Sequence, residues 1–353
     1  MAKFDSKTWN DEVFQKYMKK VEPSRENALI KSSIFDNKAN AMARTLDEQV
    51  GGNYIVEPIK GVLNGDVQNY DGVEDVEATS RDTFEQGKIV VGRMKGWTEK
   101  DFSSELTGED FMPMAQEVSE YYEAVDQDDL LAILSGIFAT TDTGSADFVS
   151  AHTYEHQGTL GATTINKAIT KACGDKKAKF RLIFINSADA EPLEELQLVD
   201  FLKYTDKDGI TRDLTIGQYN GRLMVIDDTV PAGTVYIVGE KFIEYDNIGA
   251  KKPSEMARDP FKNGGLDTLI TRQRKLYAPK YISFTKASMK TDSPTKAELA
   301  DGKNWAVVNN GKSGEDKKYI NHKLIPVARI VLSEVEPDAP EVEPDAPDAE
   351  PTA

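Results

Sequence analysis

The chain has 353 residues and a formal net charge of −17, so its long-range field repels polyanions and argues against holding nucleic acid by broad phosphate neutralisation. Hydrophobic residues make up 39% and charged residues 29%, which fits a soluble globular chain of one large or two medium domains. A single cysteine, Cys173, and three histidines exclude an intrachain disulfide framework or a thiolate metal cage, and supply acid–base and zinc chemistry poorly.

No run approaches the roughly 20 apolar residues that span a bilayer. The opening MAKFDSKTWNDEVF lacks the apolar core of a secretory signal, so an intracellular protein without a membrane partner is expected. Trp9, Val13, Phe14, Tyr17 and Met18 recur at helical spacing and predict a short amphipathic helix, with a second short one after Ser24. Neither is long enough to be stable alone, so this arm is expected to pack on another surface, with Trp9 and Phe14 on its apolar stripe.

From Tyr54 to Met94 the pattern changes to short β-like pieces broken by turn signals at Asn64-Gly65-Asp66 and Asp71-Gly72. Between Glu57 and Glu85, Asp82 included, stand eight acids against only Lys60 and Arg81. Too few apolar side chains lie here for a core, which leaves a disordered insertion or a β-arm lying on a neighbouring subunit. The strand-like closing run Lys88 to Met94 favours the arm.

Phe111 to Phe138 has no glycine before Gly136. It presents Ala115, Val118, Tyr122 and Val125, then Leu130, Leu134, Ile137 and Phe138, with a slip of the stripe near Asp126 to Asp129. A helix of about 25 residues is about 38 Å long, the length of a spine.

A polar loop, Thr140 to Gly161, should follow, then a helix from Ile165 to Cys173 capped by Thr164 and closed by Gly174. The strand run Phe180 to Ile185 comes next, then a helix opening at Pro192. Strands at Arg222–Asp227, Val235–Gly239 and Lys241–Tyr245 are read into one mixed sheet with helices on its faces. Two more strands fall in DTLITRQRKLYAP and YISFT, a short helix begins at Ser293-Pro294, and Leu324 to Leu332 forms the final strand. From Ser333 the last 21 residues repeat EVEPDAP with eight acids and no base. Such a segment should be extended and solvated, either as a solubilising appendage or as a docking peptide.

The chemistry-bearing residues form no catalytic, cofactor-binding or metal constellation. In HTYEH the acid adjoins His156 and not His152, contrary to the metalloprotease pattern. DKDG at Asp206 lacks the calcium-loop glycine at position six and glutamate at position twelve, so a hairpin turn explains it better. Asp227-Asp228 reads as a strand-terminal turn before Pro231, and Cys173 as a small buried residue. A projecting arm, a projecting loop and a spine that one subunit cannot bury point to an assembly protein.

Six stretches then carry a family resemblance: ALIKS, EQVGGNYI, VVGRMKGWTEKDFS, IGQYNGRLMVIDDTVP, RDPFKNGGLDTLITRQRKLYAPKYISFT and SPTKAELADGKNW. Together they resemble the major capsid proteins of tailed double-stranded DNA bacteriophages, over nearly the whole chain up to Leu332. NSADAEPLEEL (Asn186 to Leu196) is more acidic than that family's pattern, and the tail repeat has no counterpart in it.

The resemblance implies the α+β Hong Kong 97-type fold. Residues 1–51 would be its N-arm and 52–106 its E-loop region. The P-domain with the spine helix would take 107–162 and 266–290, the mixed-sheet A-domain 163–265 and 291–332, and the acidic Pro-rich disordered tail 333–353. It further implies a non-enzymatic, cofactor-free structural protein that self-assembles into hexamers and pentamers of an icosahedral shell, enclosing DNA without sequence-specific binding. A separate scaffolding protein and a portal protein would be its partners, with assembly in the bacterial host cytoplasm and residence in the virion capsid. In that fold the E-loop lies across a neighbour's P-domain, so Arg272 and Arg274, which share one face of a strand, are expected either to meet a neighbour's loop carboxylates such as Asp82 or Glu85, or to pair within their own subunit. The rivals are an encapsulin-like nanocompartment shell, an acidic-tailed soluble binding module, and a hydrolase using Asp227, Asp228 and the histidines.

Overall fold

A computed structural model describes residues 34–37, 53–63, 67, 69, 78, 81–101, 103, 114–205 and 211–333. Its strands are β1 (Phe35–Asn37), β2 (Tyr54–Lys60), β3 (Thr83–Lys100), β4 (Thr153–Gln157), β5 (Phe180–Ile185), β6 (Asp200–Thr205), β7 (Thr211–Tyr219) and β8 (Arg222–Ile226). Then come β9 (Thr234–Gly239), β10 (Ile243–Asn247), β11 (Ser254–Asp259), β12 (Leu266–Pro279), β13 (Ile282–Phe284), β14 (Trp305–Val307) and β15 (Val327–Ser333). The α-helices are α1 (Met114–Phe138), α2 (Ala146–His152), α3 (Thr164–Cys173), α4 (Ser187–Glu195) and α5 (Lys296–Ala300).

Two sheets hold most of these strands. One runs β4-β15-β9-β5-β8-β7-β6 and is mixed, since β5/β8 and β15/β4 are parallel and the other pairs antiparallel. The other runs β1-β10-β12-β3-β2, with β11 also paired to β12. The run FRLIFI of β5 is apolar at nearly every position because its two faces serve two cores. Ile183 and Ile185 pack with Ile165, Ile169 and Cys173 of α3. Leu182 and Phe184 join Leu130, Leu134, Ile137 and Phe138 of α1.

The spine helix forms with the expected 25 residues. Near its end Gly136 permits a close approach: a Cβ there would stand 2.2 Å from Leu299 O of α5 and 2.5 Å from Trp305 Nε1. Trp305 is buried, donates from Nε1 to Leu299 O at 2.7 Å and meets Phe284 edge-on at 5.0 Å.

Several expectations need correction. Strand β10, read as part of the mixed sheet, instead pairs antiparallel with β12 in the other sheet, where Tyr245 faces Tyr277. Helix α4 opens at Ser187, five residues before Pro192, because the Asn186 side chain accepts from Ala188 N at 3.0 Å and starts the turn. Helix α5 starts at Lys296, since Thr295 and Glu298 form a capping box. The 140–161 loop contains α2 and β4, the latter gaining its ladder from β15. A short 3-10 turn, His322–Leu324, delays β15 to Val327. Helix α3 begins one residue early, with Thr163 as N-cap, and closes at Gly174 with φ 58°. Asp206 to Gly209 lies outside the described residues, although the flanking β6 and β7 pair antiparallel with Thr205 opposite Thr211.

Candidate assembly surface

The β2–β3 hairpin leads into a run of exposed side chains. Tyr54 to Lys60 pair with Ile89 to Thr83, and Gly61 N donates to Asp82 O at 2.8 Å as the strands part. Beyond them Val62, Leu63 and Val67 are 61%, 76% and 98% exposed. Three exposed aliphatic side chains thus stand inside an acidic segment. The base of the hairpin is rigid by contrast: buried Lys88 bridges Glu57 and Glu244, 2.5 Å from the latter. Tyr54 OH donates to Phe284 O at 2.9 Å, and buried Gln86 donates to Pro279 O at 2.7 Å.

Strand β3 continues past the hairpin and pairs with β12 from Ile89 to Lys100. The spine helix crosses this ladder through a polar seam. Lys275 Nζ donates to Asp126 Oδ1 at 2.6 Å, and Tyr277 OH donates to the same oxygen at 2.9 Å. Arg93 donates in a fork to Asp129, 2.7 Å to Oδ1 and 3.1 Å to Oδ2. Burial pushes the Asp129 carboxyl up against the opposing pull of Arg93, and burial beside Asp126 pushes the Tyr277 phenol well up. The slip of the apolar stripe at Asp126 to Asp129 is thus the place where the helix is tied to the sheet. Next to it Trp97, Tyr121 and Tyr122 form an edge-to-face aromatic cluster, and Met94 is 77% exposed.

The expected interface residues are placed as follows. Trp9 and Phe14 lie outside the described residues. Arg272 donates to Glu255 Oε1 of adjacent β11 at 2.7 Å, and this hydrogen bond holds the Glu255 carboxyl below its ordinary range. Arg274 donates to Asn53 Oδ1 at 2.6 Å. Asp82 stands 3.7 Å from Lys318, and exposed Glu85 donates its backbone N–H to Asn309 O at 3.0 Å. Within one chain the two arginines therefore contact other partners than the two loop acids.

The remaining chemical groups fill structural roles. His152 ends α2, is 1% exposed, and contacts Val327 O at 2.5 Å through Nδ1. Its Nε2 lies 3.2 Å from His322 Nδ1, a pairing across 170 residues that no local spacing signals. His156 sits on β4 and contacts Thr159 O at 3.1 Å, so the two histidines of HTYEH share no helix face. Asp227 Oδ1 accepts from Thr229 N at 2.8 Å, and Asp228 accepts from Ser187 N at 3.2 Å, as in a strand-end turn leading into a helix cap. Cys173 is fully buried, and burial pushes its thiol up. Among the described residues no three His, Cys, Asp or Glu converge as metal ligands, and no helix is long and apolar enough to cross a membrane.

No protein-family profile matches the chain. It is 26% identical over 287 residues to the major capsid protein of Bacillus phage SPP1, a match covering 78% of this chain and 85% of that one. Among solved structures, the capsid of Ralstonia phage GP4 aligns with a TM-score of 0.48 at 11% identity, covering 71% of this chain and 86% of that one. The capsid of cyanophage Pam1 aligns with a TM-score of 0.46 at 13% identity, covering 94% and 96%. Both TM-scores lie below 0.5. The sequence match is thus to a phage major capsid protein, and the described residues have the mixed α+β architecture that the sequence resemblance implied.

Proposed function

We propose that the chain is the major capsid protein of a tailed bacteriophage, which self-assembles into an icosahedral shell around double-stranded DNA. The observation that carries this reading is the match along 287 residues to a phage major capsid protein. The exposed Val62, Leu63 and Val67 beside a rigid hairpin base support it, because repeated closed packing covers such surfaces. In this reading residues 1–51 form the N-arm, 52–106 the E-loop region and 333–353 the tail. The P-domain takes 107–162 and 266–290, and the A-domain 163–265 and 291–332, with β10 and β11 reassigned to the P-domain because they pair with β12. Hexamers and pentamers, a separate scaffolding protein, a portal partner, a non-enzymatic role and assembly in the host cytoplasm complete the proposal.

Trp9 and Phe14 are assigned to the neighbour contact of the arm, and Arg272 and Arg274 to carboxylates of a neighbour's loop. Arg272 is 33% exposed and Arg274 is half-buried, and a guanidinium has five N–H donors, enough for a second acceptor. Electron microscopy of the purified protein, with and without its scaffold, tests the reading. Closed shells are expected; monomers or open fibres alone under both conditions overturn it. DNA inside native particles separates a virion shell from a cellular nanocompartment.

A further inference from the structure

A basic patch interrupts this acidic chain where α3 ends. The 3-10 stretch Gly174–Lys179 reads GDKKAK, and the His322–Leu324 turn lies against it: Cys173 Sγ donates to Ile325 O at 3.6 Å. Lys179, Lys176 and Lys323 surround that buried thiol closely enough that all three oppose the rise burial imposes on it. Lys177, Lys179 and Lys323 are exposed and Lys176 half-buried. Among the described residues none of the four forms an ion pair, while nearby Glu240 is engaged by Arg181 at 3.8 Å. Exposed Asp175 in the same stretch offsets one of these charges, and the remaining ammonium groups repel one another unless a further anion joins them.

We propose that this patch is the docking surface for the chain's own acidic tail, residues 334–353. The tail carries eight acids and no base, so the charges are complementary. Its point of departure fits as well. Ser333 ends β15, whose first residue, Val327, follows Lys323 by four positions. The seven residues of β15 span about 23 Å at about 3.3 Å each. A proline-rich chain extends about 3.1 Å per residue, so about eight tail residues return to the patch. Glu341, Glu343, Asp345, Asp348 and Glu350 then come within reach of the four lysines. Proline favours extended backbone in any chain, which lowers the ordering cost of docking, and tethering raises the local concentration of the docking segment. The contact is solvent-exposed and therefore reversible and salt-sensitive. The proposal stands apart from the shell reading, because it uses only residues of one chain.

Carbodiimide crosslinking of the full chain tests it, since that reagent joins a carboxylate to an amine only when the two touch. Isotope-labelled and unlabelled chains are mixed in equal amounts, and the amides are located by mass spectrometry. Tail carboxylates should link to Lys176, Lys177, Lys179 and Lys323 within single chains. The yield should fall about fivefold or more in about 0.5 M salt, where the screening length shrinks to a few ångströms. The K176E/K177E/K179E/K323E variant should lose these links. A second variant, with tail Glu→Gln and Asp→Asn changes, should lose them while leaving the body untouched. Tail links spread evenly over Lys167, Lys262 and Lys312, or found only between chains, overturn the proposal. So does a patch that retains duplex DNA equally well with and without the tail.

Discussion

Asp126 on the spine helix and Lys275 on β12 form an ion pair with side chains 4% and 10% exposed, and Tyr277 donates to the same carboxylate. A buried pair of this kind contributes little net stability against an apolar replacement, but losing one partner strands the other charge. Lys275→Met should cost about 3–5 kcal/mol in denaturant unfolding, whereas the double change Asp126→Leu with Lys275→Met should recover much of that loss. A single change costing under about 1 kcal/mol would mean that water already reaches the seam.

Burial lowers the His152 pKa from 6.5 to about 4, with His322 adding to the fall. The neutral ring is thus favoured in the folded chain, while the unfolded chain takes up a proton as pH drops through about 6.5. Stability present above that value should decline by up to about 3 kcal/mol between pH 6.5 and 4, then level off with respect to this group. At His322 burial drives the same downward trend, Lys323 reinforces it and Asp147 opposes it. In His152→Gln the thermal midpoint should fall less over that pH window than in the parent; equal slopes would assign the acid sensitivity to other groups.

Gly136→Ala should weaken the packing of α1 on α5, because the added methyl would overlap Leu299 O and the Trp305 ring, both held by their mutual hydrogen bond. Overpacking of this kind costs about 1–3 kcal/mol. Tryptophan fluorescence followed through unfolding reads the change; a midpoint at or above the parent's would show that the two elements separate without penalty.

The intrachain Arg272–Glu255 contact decides how the proposed neighbour interface is probed. Reversing Arg272 alone would place two carboxylates side by side on paired strands, so a folding fault and an assembly fault would look alike. The swap Arg272→Glu with Glu255→Lys keeps the pair and relocates its charges. It should yield a folded chain that assembles poorly, and Asp82→Lys or Glu85→Lys should partly restore shells. Normal shells from the swap at all salt concentrations would remove Arg272 from the interface.

Periodicity made the spine helix legible in the sequence, as it did β5, β9 and β12, because apolar spacing reports local geometry directly. Partner choice lay beyond it. The Asp126–Asp129 break was visible as an irregularity, yet its meaning depends on Arg93 and on Lys275, 36 and 149 residues distant. Strand β10 was visible as a strand, but nothing local assigns it to β12 rather than β9. His322 carried no signal until the fold laid its turn against α2. The start of α4 was legible in principle, since Asn186 before Ser187 is a strong cap, but Pro192 offered a competing helix-start signal.

Strand β3 is one unbroken run of 18 residues that holds β2 with its first part and β12 with its second. Mechanically it is a beam of about 59 Å at about 3.3 Å per residue, clamped near its middle by Arg93 to the spine helix. A load applied at the hairpin cannot be absorbed by a hinge, since no break in the strand offers one. It must be passed to Asp129 and the helix, so a tug on the loop is felt as a torque on the spine.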